Sequence, residues 1–359
     1  MSLSIGIVGL PNVGKSTTFN ALTNNHILAA NYPFATIEPN TGIVPVPDPR
    51  LAVLATMYGA QKIIPATVTF VDIAGLVAGA SRGEGLGNKF LHNIRECQAI
   101  VHVVRAFEND NVLRHDEAPI DPHADIDIIT TELLLADIQT IEQRLPRLQK
   151  EAKADPHSRK KLTYLEQLLG ELQRGTPLST LDSLDDEAIH DLHLLTAKPV
   201  IYVFNVDEAG LTDTTLQNTL AQLVAPAQSL FICAKLEEEL QGLSATEASE
   251  LLADYGVTET GLAKLVRTAY HTLGLQSYLT AGPKEVRAWT IHKGWTAPQA
   301  AGVIHSDFER GFIAAQVISY DELVKAGSEA AARAAGKIRT EGKNYIMQPD
   351  DVVEFRFNV

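Results

Sequence analysis

The sequence predicts an α/β protein: a parallel-sheet nucleotide-binding domain, interrupted by a helical insert and followed by a smaller α+β module. Three observations predict it. Gly9-Leu10-Pro11-Asn12-Val13-Gly14-Lys15-Ser16 fits the phosphate-binding-loop pattern in full and lies between an apolar run, Ser4 to Val8, and a helical run, Lys15 to Thr23. Strand-length apolar runs recur at Ala66 to Val71, Ala99 to Val104, Pro199 to Phe204 and Ser229 to Ile232, separated by helical or loop segments. Within Asp121 to Lys198, which breaks this alternation, Leu134, Ile138, Ile141, Leu145 and Leu148 alternate spacings of four and three, and Leu162, Leu165, Leu169 and Leu172 do so in reverse phase. Such spacings read as coiled-coil seams.

The first element carries the clearest chemistry. Gly9 and Gly14 let the backbone curl so that successive N–H groups and the helix N-terminus converge on phosphate oxygens, while Lys15 adds positive charge at the β and γ positions. Asn12, Val13, Gly14, Lys15, Ser16 and Thr17 form the expected phosphate-holding set, with the Ser16 hydroxyl a Mg2+ ligand. Asp72-Ile73-Ala74-Gly75 follows the second strand and offers a carboxylate for the Mg2+ shell and a Gly75 N–H for the γ-phosphate. Thr36, inside Phe34 to Asn40, lies where a switch loop belongs and is expected to reach Mg2+ with its hydroxyl and the γ-phosphate with its N–H. The stretch from Gly75 to Gly87 has glycines at 75, 79, 83, 85 and 87; it is expected to be mobile without nucleotide and to order when the γ-phosphate arrives. Arg82 is a further candidate source of charge for the transition state.

Composition bounds the rest. A chain of 359 residues suggests two or three domains, each large enough to bury a core. No apolar run is long enough to span a bilayer, and the N-terminus reads as the start of a strand and not as a signal peptide. Cys97 and Cys233 lie in apolar segments without metal-ligand spacing, which points to buried thiols in a reducing cytosol. A net charge of -14 disfavours nucleic-acid binding by the whole surface, so no DNA partner is expected and any RNA contact must be local.

One such local patch is Lys150, Lys153, Arg159, Lys160 and Lys161 around Asp155-Pro156, which is expected to turn two antiparallel helices; it reads as a solvated hairpin end or as a partner or RNA contact. After about Leu275 short strands at Glu285 to Thr290 and Val352 to Phe357 flank an alanine-rich helical stretch. Residues 276–359 carry ten Lys/Arg and ten Asp/Glu, and Trp289 and Trp295 are expected to pack in the module's core and not to stack on bases. The expected domains are therefore 1–120 with 199–275, 121–198, and 276–359.

On these residues the sequence resembles the Obg-related P-loop nucleotidases and, within them, the YchF or Obg-like ATPase family. The resemblance covers essentially the whole chain and rests on Gly9 to Ser16, Asn31 to Asn40, Asp72 to Val77, Gly83 to Asn88, Phe107 to Asn111, Val286 to Thr290 and Phe355 to Val359. It implies a Ras-like core, an inserted antiparallel α-helical coiled coil and a C-terminal ubiquitin-like β-grasp module, the TGS domain. It also implies a cytoplasmic ATPase associated with the ribosome, with the large subunit the expected contact.

Guanine-specific relatives use Asn-Lys-x-Asp after a strand, whereas here Asn205-Val206-Asp207-Glu208 follows Phe204. Glu208 is one methylene longer than the aspartate that accepts from guanine N1 and N2, and Val206 makes none of the lysine's contacts, so guanine selectivity is expected to weaken. An Asn205 amide can pair with the N6 and N7 edge of adenine, which favours ATP over GTP. Cys233-Ala234-Lys235, after the next strand, fits the last base-contacting loop. Leu76 stands where Ras-like enzymes place a water-orienting glutamine, and leucine neither donates nor accepts a hydrogen bond. Either hydrolysis is slow until a partner supplies a polar group, or another residue reaches in, for which His115 is the candidate. Lys15, Gly75 and His115 are thus the expected catalytic residues, while His92 and Arg95 read as structural. The sequence leaves a switch ATPase, a GTPase, or a nucleotide-gated binding protein that scarcely hydrolyses, with a metabolic phosphotransferase as a fourth and weaker reading. A metabolic phosphotransferase would need an acceptor pocket and an arginine-bearing lid.

Overall fold

The computed structural model describes residues 3–24, 40–73, 86–108 and 120–358. Its strands are β1 (Ser4–Val8), β2 (Thr41–Pro45), β3 (Ile63–Ile64), β4 (Thr67–Asp72), β5 (Ala99–Arg105), β6 (Val200–Asn205), β7 (Gln228–Ile232), β8 (Leu275–Ala281), β9 (Val286–His292), β10 (Phe312–Ser319), β11 (Arg339–Glu341) and β12 (Asp351–Phe357). They form two six-stranded sheets, ordered β2-β4-β1-β5-β6-β7 and β11-β10-β12-β8-β9-β3. The chain divides into two compact units, Met1–Val44 with Thr69–Leu265, and Pro45–Val68 with Val266–Val359.

In the first unit β1 pairs in parallel with both β4 and β5, and β5, β6 and β7 continue the parallel ladder. Every residue of β5 is buried and Ile5, Ile7 and Val8 of β1 are fully so, as befits central strands covered on both faces. The registers Ile7↔Asp72, Val8↔His102, Arg105↔Asn205 and Asn205↔Ile232 bring the carboxyl ends of β1, β4, β5, β6 and β7 to one edge. From β1 the chain builds first to one side and then to the other, so a crevice at this edge, beside β1, is where an open α/β sheet binds its ligand.

The insert is a helical hairpin, Pro122–Glu151 and Pro156–Gln173. Asp121 and Asp155 cap its helices by accepting from the second and third backbone N–H groups, each followed by a proline at the first helical position. All nine residues of the expected seams pack in one cluster, joined by Leu168 and by Leu178, Ile189, Leu192 and Leu194 of the returning chain. The apolar face is thus wider than a two-helix seam, because the return segment covers its flank. Of the basic residues near the turn, Lys161 is drawn aside by an ion pair with Asp191 at 2.8 Å, while Lys150, Lys153, Arg159 and Lys160 are exposed. At the hairpin's other end the buried Asp137 carboxylate accepts from the N–H groups of Leu195 and Thr196 and from the Thr196 hydroxyl at 2.7–2.8 Å, fixing the segment that leads into β6.

In the second unit β8 and β9 are antiparallel, β12 is antiparallel to β10, and β8 and β12 pair in parallel. Helix Ala297–Ile304 packs on the sheet, receiving a hydrogen bond from the fully buried Tyr278 hydroxyl at the Ala300 carbonyl. Trp289 and Trp295 pack against this core, as expected, with the Arg287 guanidinium 3.7 Å over the Trp289 ring. Residues 45–68, which the sequence places in the nucleotide-binding segment 1–120, group with this unit. The reason is strand pairing: β3 extends the second sheet through Ile63↔Val286, an addition too short for hydropathy to reveal.

Candidate nucleotide-binding site

The loop after β1 enters helix Lys15–Asn24, whose first backbone bond runs from the Thr18 N–H to the Gly14 carbonyl at 2.9 Å. The N–H groups ahead of it face outward from the helix end, the arrangement that binds phosphate. Gly14 has φ +94°, and a Cβ there would lie 2.3 Å from Asn205 Nδ2, so both backbone and space require glycine. Asn12 adopts φ 63°, a left-handed conformation that asparagine tolerates. Lys15 is buried, at 9 % exposure, with its Nζ 3.1 Å from Asp72 Oδ1, while Ser16 is exposed beside it. The β1–β4 register therefore delivers a carboxylate to the phosphate loop, as the sequence requires. A serine hydroxyl and an aspartate carboxylate are the hard oxygen donors that Mg2+ takes, so these residues fit the ion.

Asn205 carries a role beyond the base contact expected of it. It is 4 % exposed; its Nδ2 donates to the Val13 carbonyl at 3.0 Å and its Oδ1 accepts from the Ala234 N–H at 3.0 Å. One N–H and one lone pair of its amide thus tie the phosphate loop to the last base loop, while Asn205 also lines the cavity with its second N–H and second lone pair uncommitted by these two bonds. Val13, Val206 and Cys233 are 2–3 % exposed, with Val206 and Cys233 in apolar clusters, so these residues offer a nucleotide little but backbone. Burial also pushes the Cys233 thiol up, an inert rather than a reactive sulfur.

Asn12, Gly14 and Thr17 line one part of an open cavity of about 510 Å³, and the residues from Asn205 to Glu208 and from Cys233 to Lys235 line another. That is nucleotide-sized. Glu208 reaches Lys235, Oε1 to Nζ 2.8 Å, and the ammonium holds the carboxyl below the usual glutamate range. Asp207 Oδ1 accepts from the Gly210 N–H at 2.9 Å and caps the turn after β6. Phe107 and Glu108 also line the cavity, a role the sequence did not reveal. Their motif is recognisable, but its function depends on Arg105, 4 % exposed at the end of β5, whose guanidinium sits 4.7 Å over the Phe107 ring and donates to the Phe107 carbonyl. Thr36, Gly75 and His115, with Leu76 and Arg82, lie outside the described residues. Arg95 donates to Thr140 of the hairpin and His92 faces Glu96 at 3.6 Å, both structural as expected.

A phosphate loop between strand and helix, an aspartate delivered to it by the neighbouring strand, and base loops tied to it by an asparagine define a P-loop nucleotide-binding protein with a GTPase-like α/β core. Comparison with known proteins agrees. A family model described as 50S ribosome-binding GTPase matches residues 4–152, and one named for the YchF-GTPase C-terminus, described as a protein of unknown function (DUF933), matches residues 275–358. The chain is 51 % identical to the Ribosome-binding ATPase YchF of Haemophilus influenzae and 46 % identical to that of Bacillus subtilis, each alignment covering both chains in full. The solved structure of the Schizosaccharomyces pombe YchF GTPase is 39 % identical, with a TM-score of 0.88 over 99 % of this chain and 98 % of that one. A GTP binding protein from Pyrococcus horikoshii shares the fold at 20 % identity and a TM-score of 0.59, covering 99 % and 100 % of the two chains. The chain belongs to the YchF family.

Proposed function

We propose that this chain is an ATPase whose nucleotide state switches its binding to the ribosome, with the large subunit the contacted particle and the cytoplasm its site of action. Full-length relatives at about half identity carry the name Ribosome-binding ATPase, and the base loop is the one observation that carries adenine over guanine. In that loop Lys235 engages Glu208 Oε1 and the Gly210 N–H engages Asp207 Oδ1, so neither carboxylate presents both oxygens open to guanine N1 and N2.

In this reading the Lys15 ammonium and the loop N–H groups bind the β- and γ-phosphates, and Ser16, Asp72 and Thr36 hold Mg2+. The ion supplies neutralisation of charge on the phosphate oxygens. The Gly75 N–H meets the γ-phosphate and His115 orients the attacking water in place of the missing glutamine. Thr36, Gly75 and His115 enter from their sequence context alone. The helical hairpin, within 121–198, serves as the coiled-coil insertion. The second unit serves as the β-grasp TGS module over 276–359, a reading supported by its hairpin, packed helix and parallel pairing of β8 with β12.

GTP hydrolysis is the alternative, because the Schizosaccharomyces pombe relative is named a GTPase. Titration calorimetry of nucleotide-free protein with non-hydrolysable ATP and GTP analogues and Mg2+ separates the two. A tenfold guanine preference, about 1.4 kcal/mol, overturns the ATPase reading. Turnover with and without ribosomes tests the switch: equal rates and nucleotide-independent binding refute it.

A further inference from the structure

We propose that Lys235 is a base-specificity residue: by holding Glu208 at the rim of the nucleotide cavity it denies guanine the carboxylate that Asn-Lys-x-Asp proteins use to read it. The inference rests on the base-loop reading above and deepens it. Lys235 Nζ lies 2.8 Å from Glu208 Oε1 and 3.9 Å from Glu239, and both Lys235 and Glu208 line the cavity. Guanine presents two donors, N1–H and N2–H, which a carboxylate accepts with its two oxygens side by side. An ammonium on Oε1 occupies one of those oxygens and sets a positive charge against the approaching donors.

The neighbouring acid also lacks two open oxygens, because Asp207 Oδ1 accepts from the Gly210 N–H as the cap of the turn after β6. Chain length alone is therefore an incomplete account of why Glu208 fails to select guanine. A glutamate on a flexible stem can recover a bond length by changing rotamer, whereas one held by an ion pair first has to break it. Lys235 is 71 % exposed, so the restraint is soft and its effect on selectivity is about two- to fivefold rather than absolute.

The test is calorimetric titration of Mg2+-adenylyl imidodiphosphate and Mg2+-guanylyl imidodiphosphate into the full chain, wild type and the variants Lys235→Met, Glu208→Gln and the double. The triphosphate is common to both ligands, so a charge effect of losing Lys235 cancels in the ratio of their dissociation constants and the ratio reports the base. Lys235→Met is expected to move the ratio two- to fivefold toward guanine, and the same change in the Glu208→Gln background is expected to leave it unmoved. An unchanged ratio in Lys235→Met, or an equal shift with and without Glu208, overturns the proposal. A guanine preference in the wild type overturns the ATPase reading instead, and the Lys235 cycle still decides whether the ion pair opposes guanine.

Discussion

Asn205→Ala separates two ways in which one asparagine serves a nucleotide site. The side chain is 4 % exposed and makes two 3.0 Å hydrogen bonds, one to the Val13 carbonyl in the phosphate loop and one from the Ala234 N–H in the last base loop. Each such bond contributes about 1 kcal/mol net, and truncation strands both partners in a buried setting. The loss is therefore about 2–3 kcal/mol, divided between the stability of the first unit and the preorganisation of the loops for nucleotide. If half of it falls on binding, both ATP and GTP analogues weaken about tenfold. The assay is calorimetry with each analogue, beside thermal unfolding followed by circular dichroism, since both tryptophans lie in the second unit and are blind to the first. If Asn205 acts only by tying loops, the two losses agree within twofold. A fivefold larger loss for the adenine analogue refutes the reasoning and returns Asn205 to a direct contact.

Gly14→Ala should abolish nucleotide binding in calorimetry, since the new methyl meets Asn205 Nδ2 at 2.3 Å in a backbone of φ +94° that L side chains rarely adopt. Glu237, buried with its Oε1 accepting from the Gly261 and Leu262 N–H groups, has its carboxyl pushed up by burial from 4.5 to about 7. A carboxyl raised on folding binds protons more tightly in the native state, so stability falls as pH rises from about 4.5 to about 7, by up to roughly 3 kcal/mol. Glu237→Gln keeps the same acceptor oxygen and should flatten that slope in urea unfolding series across pH 5 to 8; an unchanged slope counts against it. His115→Ala should lower steady-state phosphate release about a hundredfold while leaving the dissociation constant of the ATP analogue within twofold; a parallel loss of binding would assign it to the phosphate site.

The parts legible in the sequence are those whose chemistry is local. The phosphate loop needs two glycines, a lysine and a serine at fixed local spacing at the mouth of a helix, and the apolar runs of β1, β5 and β6 need only continuity, so both are legible. Asp72 followed from its place after a strand, because parallel register is what sets it beside Lys15. What escaped is set by pairing between distant segments. Nothing in the composition of residues 45–68 announces that Ile63 lies beside Val286, or that Arg105 turns back onto Phe107 to form a cavity wall. Asn205 is the instructive case. Residue type marks its position in the base loop, but an amide has two ends, and only the fold shows that each also holds a backbone group of another loop. The same holds for Glu208: its extra methylene was visible in the sequence, and its ion pair with Lys235, 27 residues away, was not. Sequence thus located the base-reading loop, while the selectivity of that loop follows from which of its polar atoms the rest of the protein has already engaged.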